Sequence, residues 1–294
     1  MVTIVILLRE KCGRSKCISV YLTAMAVADL MCLVFDVILF ELHGIYYPDS
    51  FLDYTAICRM NFFLIFTSVE CSVWLTVAFT FDRYVAICCQ KLRTQYCTER
   101  TAKVVVATIW GLSILENIPR YFVSEPHVII DNIASFCIVK ASRYTELIWI
   151  SYLWIDIIFL TFIPFLLVLL FNGLTIKHIL LTSRIRKALR GSDNDSELEN
   201  RKKSIVLLLL ISANFILLWM VILTHFICAQ ITEVEFLQTN YSNPFAILEQ
   251  AGHMLQYLSS CTNTIIYVAS QAKFREDIKI LFKYPLTLLL KVQK

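Results

Sequence analysis

Asp29, Asp36, Glu70, Asp82, Arg83, Glu116, Arg120 and Asp156 stand inside, or at the very ends of, long apolar stretches. A charge in such a setting is costly in a membrane interior, so it is kept where it pairs, meets an ion or recognises a ligand. The chemistry these side chains can do is electrostatic. Arg83 is a permanently charged planar donor, and Asp82 beside it can hold it in place. The bland alternative is an interfacial arginine that anchors a helix end. Arg120 can take a carboxylate while Glu70 or Asp156 takes an amine. Glu116 and Arg120 are also four apart and can equally pair with each other. Asp29 calls for polar partners or a cation, a merely packed carboxyl being the alternative. Bond-making chemistry finds no support: there is no HExxH or CxxC motif, and no nucleophile–histidine set stands out.

Long helices must position these groups. The 294 residues are 58% hydrophobic and 17% charged, with a mean hydropathy of +0.67. An ordinary globular domain is about 45–50% apolar and about 25% charged. The stretch Cys58–Tyr84 ends FTFDRYVAIC, and as a helix from Cys58 to Arg83 it is ~37 Å long. That carries a bilayer core of ~30 Å. Further spans are expected over 18–42, 104–121, 147–181, 204–229 and 245–270, while 122–146, with Pro126, Asp131 and Cys137, reads as a polar external loop. Eleven cysteines are too scattered for a disulfide framework or a zinc site. Loops on the Arg83 side carry 23 of the 27 Lys and Arg residues, leaving Arg59, Arg120, Lys140 and Arg143 for the other side. The positive-inside rule therefore places Asp82-Arg83-Tyr84 in the cytosol and Cys58 and Cys137 outside. The net charge of +4 reflects this topology in the lipid bilayer and not nucleic-acid binding.

The leading MVTIVILL gives only ~12 Å of helix and lacks the basic region and cleavage site of a signal peptide. It is expected to be the end of a first helix, so that residues 1–294 form one all-α, seven-transmembrane-helix bundle. The amino terminus of the full-length form is then extracellular and the carboxyl terminus cytoplasmic. Residues 183–203 are expected to form a cytoplasmic loop. Within 271–283, Phe274, Ile278, Leu281 and Phe282 share a face away from Lys273, Arg275 and Lys279, the pattern of an interfacial amphipathic helix. Asn240-Tyr-Ser is a glycosylation sequon in an external loop, whereas Asn194-Asp-Ser lies on the cytosolic side.

Taken in order, several landmarks resemble the rhodopsin-like family of G-protein-coupled receptors across essentially the whole chain. They are AMAVADL with Asp29, Cys58 and DRYVAIC bounding the third span, Trp110, Cys137, Pro164, FILLW, and NTIIY followed by Phe274. FDRYVAICCQKLRTQYCTERTA, KHILLTSRIRKALRG and CTNTIIYVASQAKFRE are similar to the orphan subgroup of G-protein coupled receptor 139. The resemblance implies a plasma-membrane receptor, not an enzyme, that passes an extracellular signal to heterotrimeric G proteins. Arrestin and receptor kinases are the further partners it implies. It implies a switch built from Asp82, Arg83, Tyr84, Phe215, Trp219, Asn263 and Tyr267. In it, Arg83 is released when the sixth helix swings outward. Asp29, Ser72, Ser259 and Asn263 match a water pocket that holds an allosteric sodium ion. A Cys58–Cys137 disulfide is also implied, in the oxidising compartment where such bonds persist.

Family pocket positions carry over to Ile65, Phe66, Val69 and Glu70 on the third helix, with Arg120 and with Asp156 on the fifth. Ile222 and Phe226 on the sixth helix and His253 and Tyr257 on the seventh complete the set. Amine receptors place an aspartate where Ile65 stands, so the expected ligand is a small amino-acid-like or peptide molecule and not a biogenic amine. The chain also departs from the family. Arg201, with Lys202 and Lys203 after it, replaces an acidic restraint on Arg83, which can raise basal activity. Val221 and Thr264 stand in place of prolines, and Asn172 in place of a tyrosine. Two other readings remain: a truncated, non-signalling receptor fragment that modulates full-length receptors, and a membrane transporter. A transporter predicts repeated halves with helices broken near the midplane; six Gly, six Pro and no visible repeat argue against it.

Overall fold

The computed structural model describes residues 3–5, 16–47, 50–130, 133–140, 146–190, 196–232, 244–270 and 279; over 183–190 and 196–205 it describes the backbone alone. The described residues form α1 (Lys16–Leu42), α2 (Thr55–Cys88), a short α3 (Gln90–Tyr96) and α4 (Glu99–Val123). An antiparallel hairpin of β1 (Ser124–Ile130) and β2 (Ile133–Val139) follows. Then come α5 (Leu147–Ile157, Ile158–Phe162 and Ile163–Arg190 in one run), α6 (Ser196–Thr232) and α7 (Pro244–Ser270). Five of these helices are long and apolar enough to cross a membrane. The sixth long helix, α7, carries Glu249, Gln250, Gln256 and Asn263 along its length.

The third span of the sequence, α2, is the hub, packing on α1, α4, α5 and α6. Its Leu75, Phe79 and Cys71 meet Tyr21, Leu22 and Met25 of α1, Ala102 of α4 and Ile211 of α6. Its Val69, Val73 and Val77 meet Phe165 and Val168 of α5 and Phe215, Trp219 and Ile222 of α6. The outward faces are apolar: Leu112 and Leu115 of α4 and Leu166 and Leu169 of α5 are exposed, as lipid-facing positions should be.

Several expectations need correcting. Within the stretch read as a polar external loop, β1 and β2 pair as a hairpin with Pro126 opposite Cys137 and Val128 opposite Ser135. Cys58 and Cys137 form the disulfide, 6.1 Å between Cα atoms, and Tyr54 bridges to Ser135, so the hairpin is pinned to the start of α2. The loop expected over 183–203 is narrower, because α5 runs on to Arg190 and α6 begins at Ser196. The fourth span begins at Glu99, where Thr98 caps the helix by accepting from the Thr101 N–H at 3.1 Å.

Two helices depart from α geometry. Leu33–Leu42 is π-helical, and there the Asn61 amide of α2 donates to the Phe35 carbonyl at 3.1 Å. A side chain that takes a carbonyl out of the helical ladder is a recognised cause of such a distortion. Ile158–Phe162 is likewise π-helical and leads into Pro164, which cannot donate a backbone bond.

The two helices that pack most extensively are α6 and α7, and Gly252 permits their closest approach. A Cβ there would lie 2.9 Å from the Ile222 Cα. Gly252→Ala should therefore lower the thermal midpoint of the purified protein, costing about 1–3 kcal/mol. Gly173→Ala, with nothing within 4 Å, should be neutral or stabilising; equal losses would contradict the tight crossing.

Candidate functional site

At the end of α2 that the charge distribution assigns to the cytosol, Asp82 is 0% exposed and Arg83 is buried beside it. Arg83 Nε donates to Asp82 Oδ2 at 3.0 Å, and Nη2 reaches the same oxygen. The other oxygen, Oδ1, accepts from Cys17 Sγ of α1 at 3.1 Å. Arg83 also lies 5.8 Å from the centre of the Phe79 ring. Tyr84 stacks on Phe171 of α5, with centroids 5.7 Å apart. This is a closed arrangement, in which the arginine is held by its neighbour and covered. Nothing about Cys17 as a residue type signals its part in it.

Midway along the bundle Asp29, 5% exposed, is fully engaged. Ser72 Oγ donates to Oδ1 at 2.7 Å and Asn263 Nδ2 to Oδ2 at 2.8 Å, and Ser260 lies beside the carboxylate. Ser259 is held by another group: its hydroxyl and carbonyl each accept from Asn214 Nδ2 at 3.3 Å. Thr262 then donates to Asn214 Oδ1 at 2.8 Å. Asn214, which the sequence reading passed over, thus ties α6 to α7. The carboxylate and hydroxyl oxygens around Asp29 are the donor type a hard cation takes, but both carboxylate oxygens here accept from protein donors and Ser259 is turned to Asn214.

A third polar chain runs from α2 to α5. Asn117 of α4 donates to Glu70 Oε2 at 2.6 Å and to the Ser113 carbonyl at 2.8 Å. Its own oxygen accepts from Arg120 Nε at 2.7 Å. Arg120 Nη2 bonds Asp156, and the face of the guanidinium sits 3.8 Å from the centre of the Phe66 ring. The alternative Glu116–Arg120 pairing does not form. Glu116 lies beside Glu70 instead, and Arg120 takes its partner from 36 residues away. The guanidinium thus holds Asn117 through Nε and Asp156 through Nη2, with Phe66 on its face.

Above this chain is a cavity of about 180 Å³, bordered by the long helices and by Ser124 of the hairpin. Ile65, Phe66, Val69, Arg120, Asp156, Phe226, His253 and Tyr257 line it. Glu70 and Ile222 do not: Glu70 is turned to Asn117, and Ile222 is buried in the α6–α7 crossing. Trp219 also lines the cavity and packs on Phe215, 5.3 Å away, which packs on Phe165 at 5.2 Å. Asp36, Glu41, Glu249 and Gln256 line it too. The polar spacing 249, 253, 256 on one helix is a legible stripe that would have pointed to the α7 members. Around Val221, α6 runs as an unbroken helix. Asn172 is buried, its Oδ1 without a partner among the described residues. Asn240, the side chains of Arg201, Thr264 and Tyr267, and all of 271–283 except Lys279 lie outside the described residues.

Comparison with known proteins agrees with this architecture. Residues 1–267 match the family model for the 7 transmembrane receptor (rhodopsin family). The chain is 25% identical over 263 residues to galanin receptor type 2 of Homo sapiens, covering 89% of this chain and 63% of that protein. It is 24% identical over 269 residues to galanin receptor 2b of Danio rerio, covering 90% and 65%. It is 23% identical over 285 residues to cysteinyl leukotriene receptor 1 of Sus scrofa, covering 94% and 77%. The chain thus spans 63% and 65% of the length of the two galanin receptors. With six long helices among the described residues, a hairpin pinned by a disulfide, and a family match over nine-tenths of its length, the chain belongs to the rhodopsin family of seven-transmembrane receptors.

Proposed function

We propose that this chain acts as a G-protein-coupled receptor of the plasma membrane, of the orphan subgroup of G-protein coupled receptor 139. It passes the signal of a small amino-acid-like or peptide ligand to heterotrimeric G proteins, and arrestin and receptor kinases act on the same cytosolic face. One observation carries the reading. The same helix, α2, lines the cavity with Ile65, Phe66 and Val69 and ends in the buried Asp82–Arg83 pair. Trp219 forms part of the cavity wall and packs on Phe215, so a ligand in the cavity bears directly on α6. The motifs around Asp82, Lys177 and Cys261 support the subgroup. Ile65 at the cavity wall supports a ligand other than a biogenic amine. Basal signalling is raised, because Arg201 supplies no acidic restraint for Arg83.

Three measurements test this reading. Guanine-nucleotide exchange by a G-protein panel mixed with the purified receptor should exceed that with Arg83→Ala, in which the cytosolic switch is absent. Equal rates across the panel would count against coupling. If Asp29 holds sodium, exchanging choline chloride for sodium chloride should raise the melting temperature of the wild type, and Asp29→Asn should abolish the difference. An unchanged sodium effect in that variant would remove Asp29 from the site. Finally, Arg120→Met leaves the Asp156 carboxylate unpaired and should cost about 3–5 kcal/mol. The double variant Arg120→Met/Asp156→Leu should melt above the single one. The reverse order would show that the pair is not what holds α4 to α5.

A further inference from the structure

The cavity is acidic beyond what its arginine balances. Arg120 and His253 are its basic lining residues, against Asp36, Glu41, Asp156 and Glu249, and Arg120 is already joined to Asp156. Asp36 is 7% exposed and lies within electrostatic reach of Glu41, and no ion pair of Asp36 or Glu41 is found among the described residues.

Backbone geometry explains why two carboxylates five residues apart share this wall. On an α-helix such residues point about 140° apart. In a π-helix the hydrogen bond runs from i to i+5, so they sit roughly one turn above each other. Asp36 and Glu41 both fall within the π-helical stretch Leu33–Leu42. The distortion at Asn61 and Phe35 thus turns both acids to one face. A further group independently calls for a polar occupant. His253 Nδ1 has no hydrogen-bond partner among the described residues, and its side chain lines the cavity beside Tyr257, whose hydroxyl is shared with Asp36. A buried polar group left unsatisfied costs free energy that a ligand group can recover. Phe40, Phe62, Phe66 and Phe226 also line the cavity and supply aromatic surface, which suits an apolar body and the flank of a cation.

We propose that the ligand carries a cationic group, an ammonium or guanidinium, which docks against Asp36 and Glu41 of α1 while the Arg120–Asp156 pair stays closed. The anchor lies on other helices than Ile65, so the missing acid at Ile65 excludes one amine geometry and not a cation. An amino-acid-like or peptide ligand supplies the charge through a free amino group or a basic side chain. This inference rests on the reading of the cavity as the receptor's ligand site.

The test uses one scaffold in three charge states: 3-phenylpropylammonium, 3-phenylpropanol and 3-phenylpropanoate. Each is titrated against the full chain in lipid nanodiscs, with the melting temperature as the readout. The ammonium should stabilise at a concentration at least about tenfold lower than the alcohol, as a charge-assisted contact requires, and the carboxylate should not stabilise. Asp36→Asn and Glu41→Gln should each weaken the ammonium effect by about tenfold. Should Asp36→Asn fail to fold, Glu41→Gln and the wild-type charge series still decide. Equal effects of ammonium and alcohol, a preference for the carboxylate, no shift with the ammonium, or a shift that survives both substitutions would overturn the acidic anchor. Arg83-dependent nucleotide exchange on the same preparation separates the two readings. Exchange without ammonium preference overturns the anchor alone. Ammonium preference without exchange supports the anchor and overturns the signalling reading.

Discussion

Inside a bilayer no water is at hand to satisfy a polar group, so each buried charge must find its partner in the protein. That requirement shapes α2 at three heights. Asp82 is shared by Arg83 and by Cys17 of α1, Ser72 reaches Asp29 of α1, and Glu70 receives Asn117 of α4. Individually such bonds are weak, averaging about 0.6 kcal/mol where measured between membrane helices. Their weight lies in the penalty for leaving one unmade, which reaches several kcal/mol for a charge. Packing of Phe79, Leu75 and Val73 therefore holds the helices together, while the polar ties select the rotation and height at which they pack.

The same reasoning bears on the charge proposed for the ligand. The charge of Arg120 is already balanced by Asp156, so a ligand carboxylate there would be a second acid on one arginine. Asp36 and Glu41 have no basic partner among the described residues, so the cation proposed above would balance charge there. The neutral, pre-paired Arg120–Asp156 unit is better suited to joining α4 to α5, with Phe66 packed on its face.

What could be read from the sequence followed range. The spans depend on hydropathy summed over many residues, and that signal is carried by the chain itself. The hairpin was missed because its strands are seven residues each and sit in a stretch with Pro126 and Asp131, where turn residues mask the β-branched runs. Arg120 was weighed against Glu116 because local i, i+4 pairing is visible in sequence, whereas Asp156 arrives from another helix. The π-helical stretch of α1 is the clearest case. The Asn61 amide that bonds its Phe35 carbonyl lies on α2, so nothing within Leu33–Leu42 announces that Asp36 and Glu41 will share a face.

The link between cavity and cytosolic end follows from where the helices can and cannot separate. Near Ile222 the backbones of α6 and α7 approach so closely that a single added carbon at Gly252 would collide. Asn214, Ser259 and Thr262 join the same two helices further down. Contacts of α6 with α2 and α5 are sparser and are largely apolar, made through Phe215, Trp219 and Phe165. Apolar contacts can slide without leaving a charge unpaired, whereas the α6–α7 hydrogen bonds cannot. With an unbroken helix through Val221, displacement of Trp219 has no proline hinge at which to be absorbed. On the signalling function proposed above, such a displacement would pass along α6 as a rigid lever, and the face free to slide is the apolar one against Val69, Val73 and Val77 of α2.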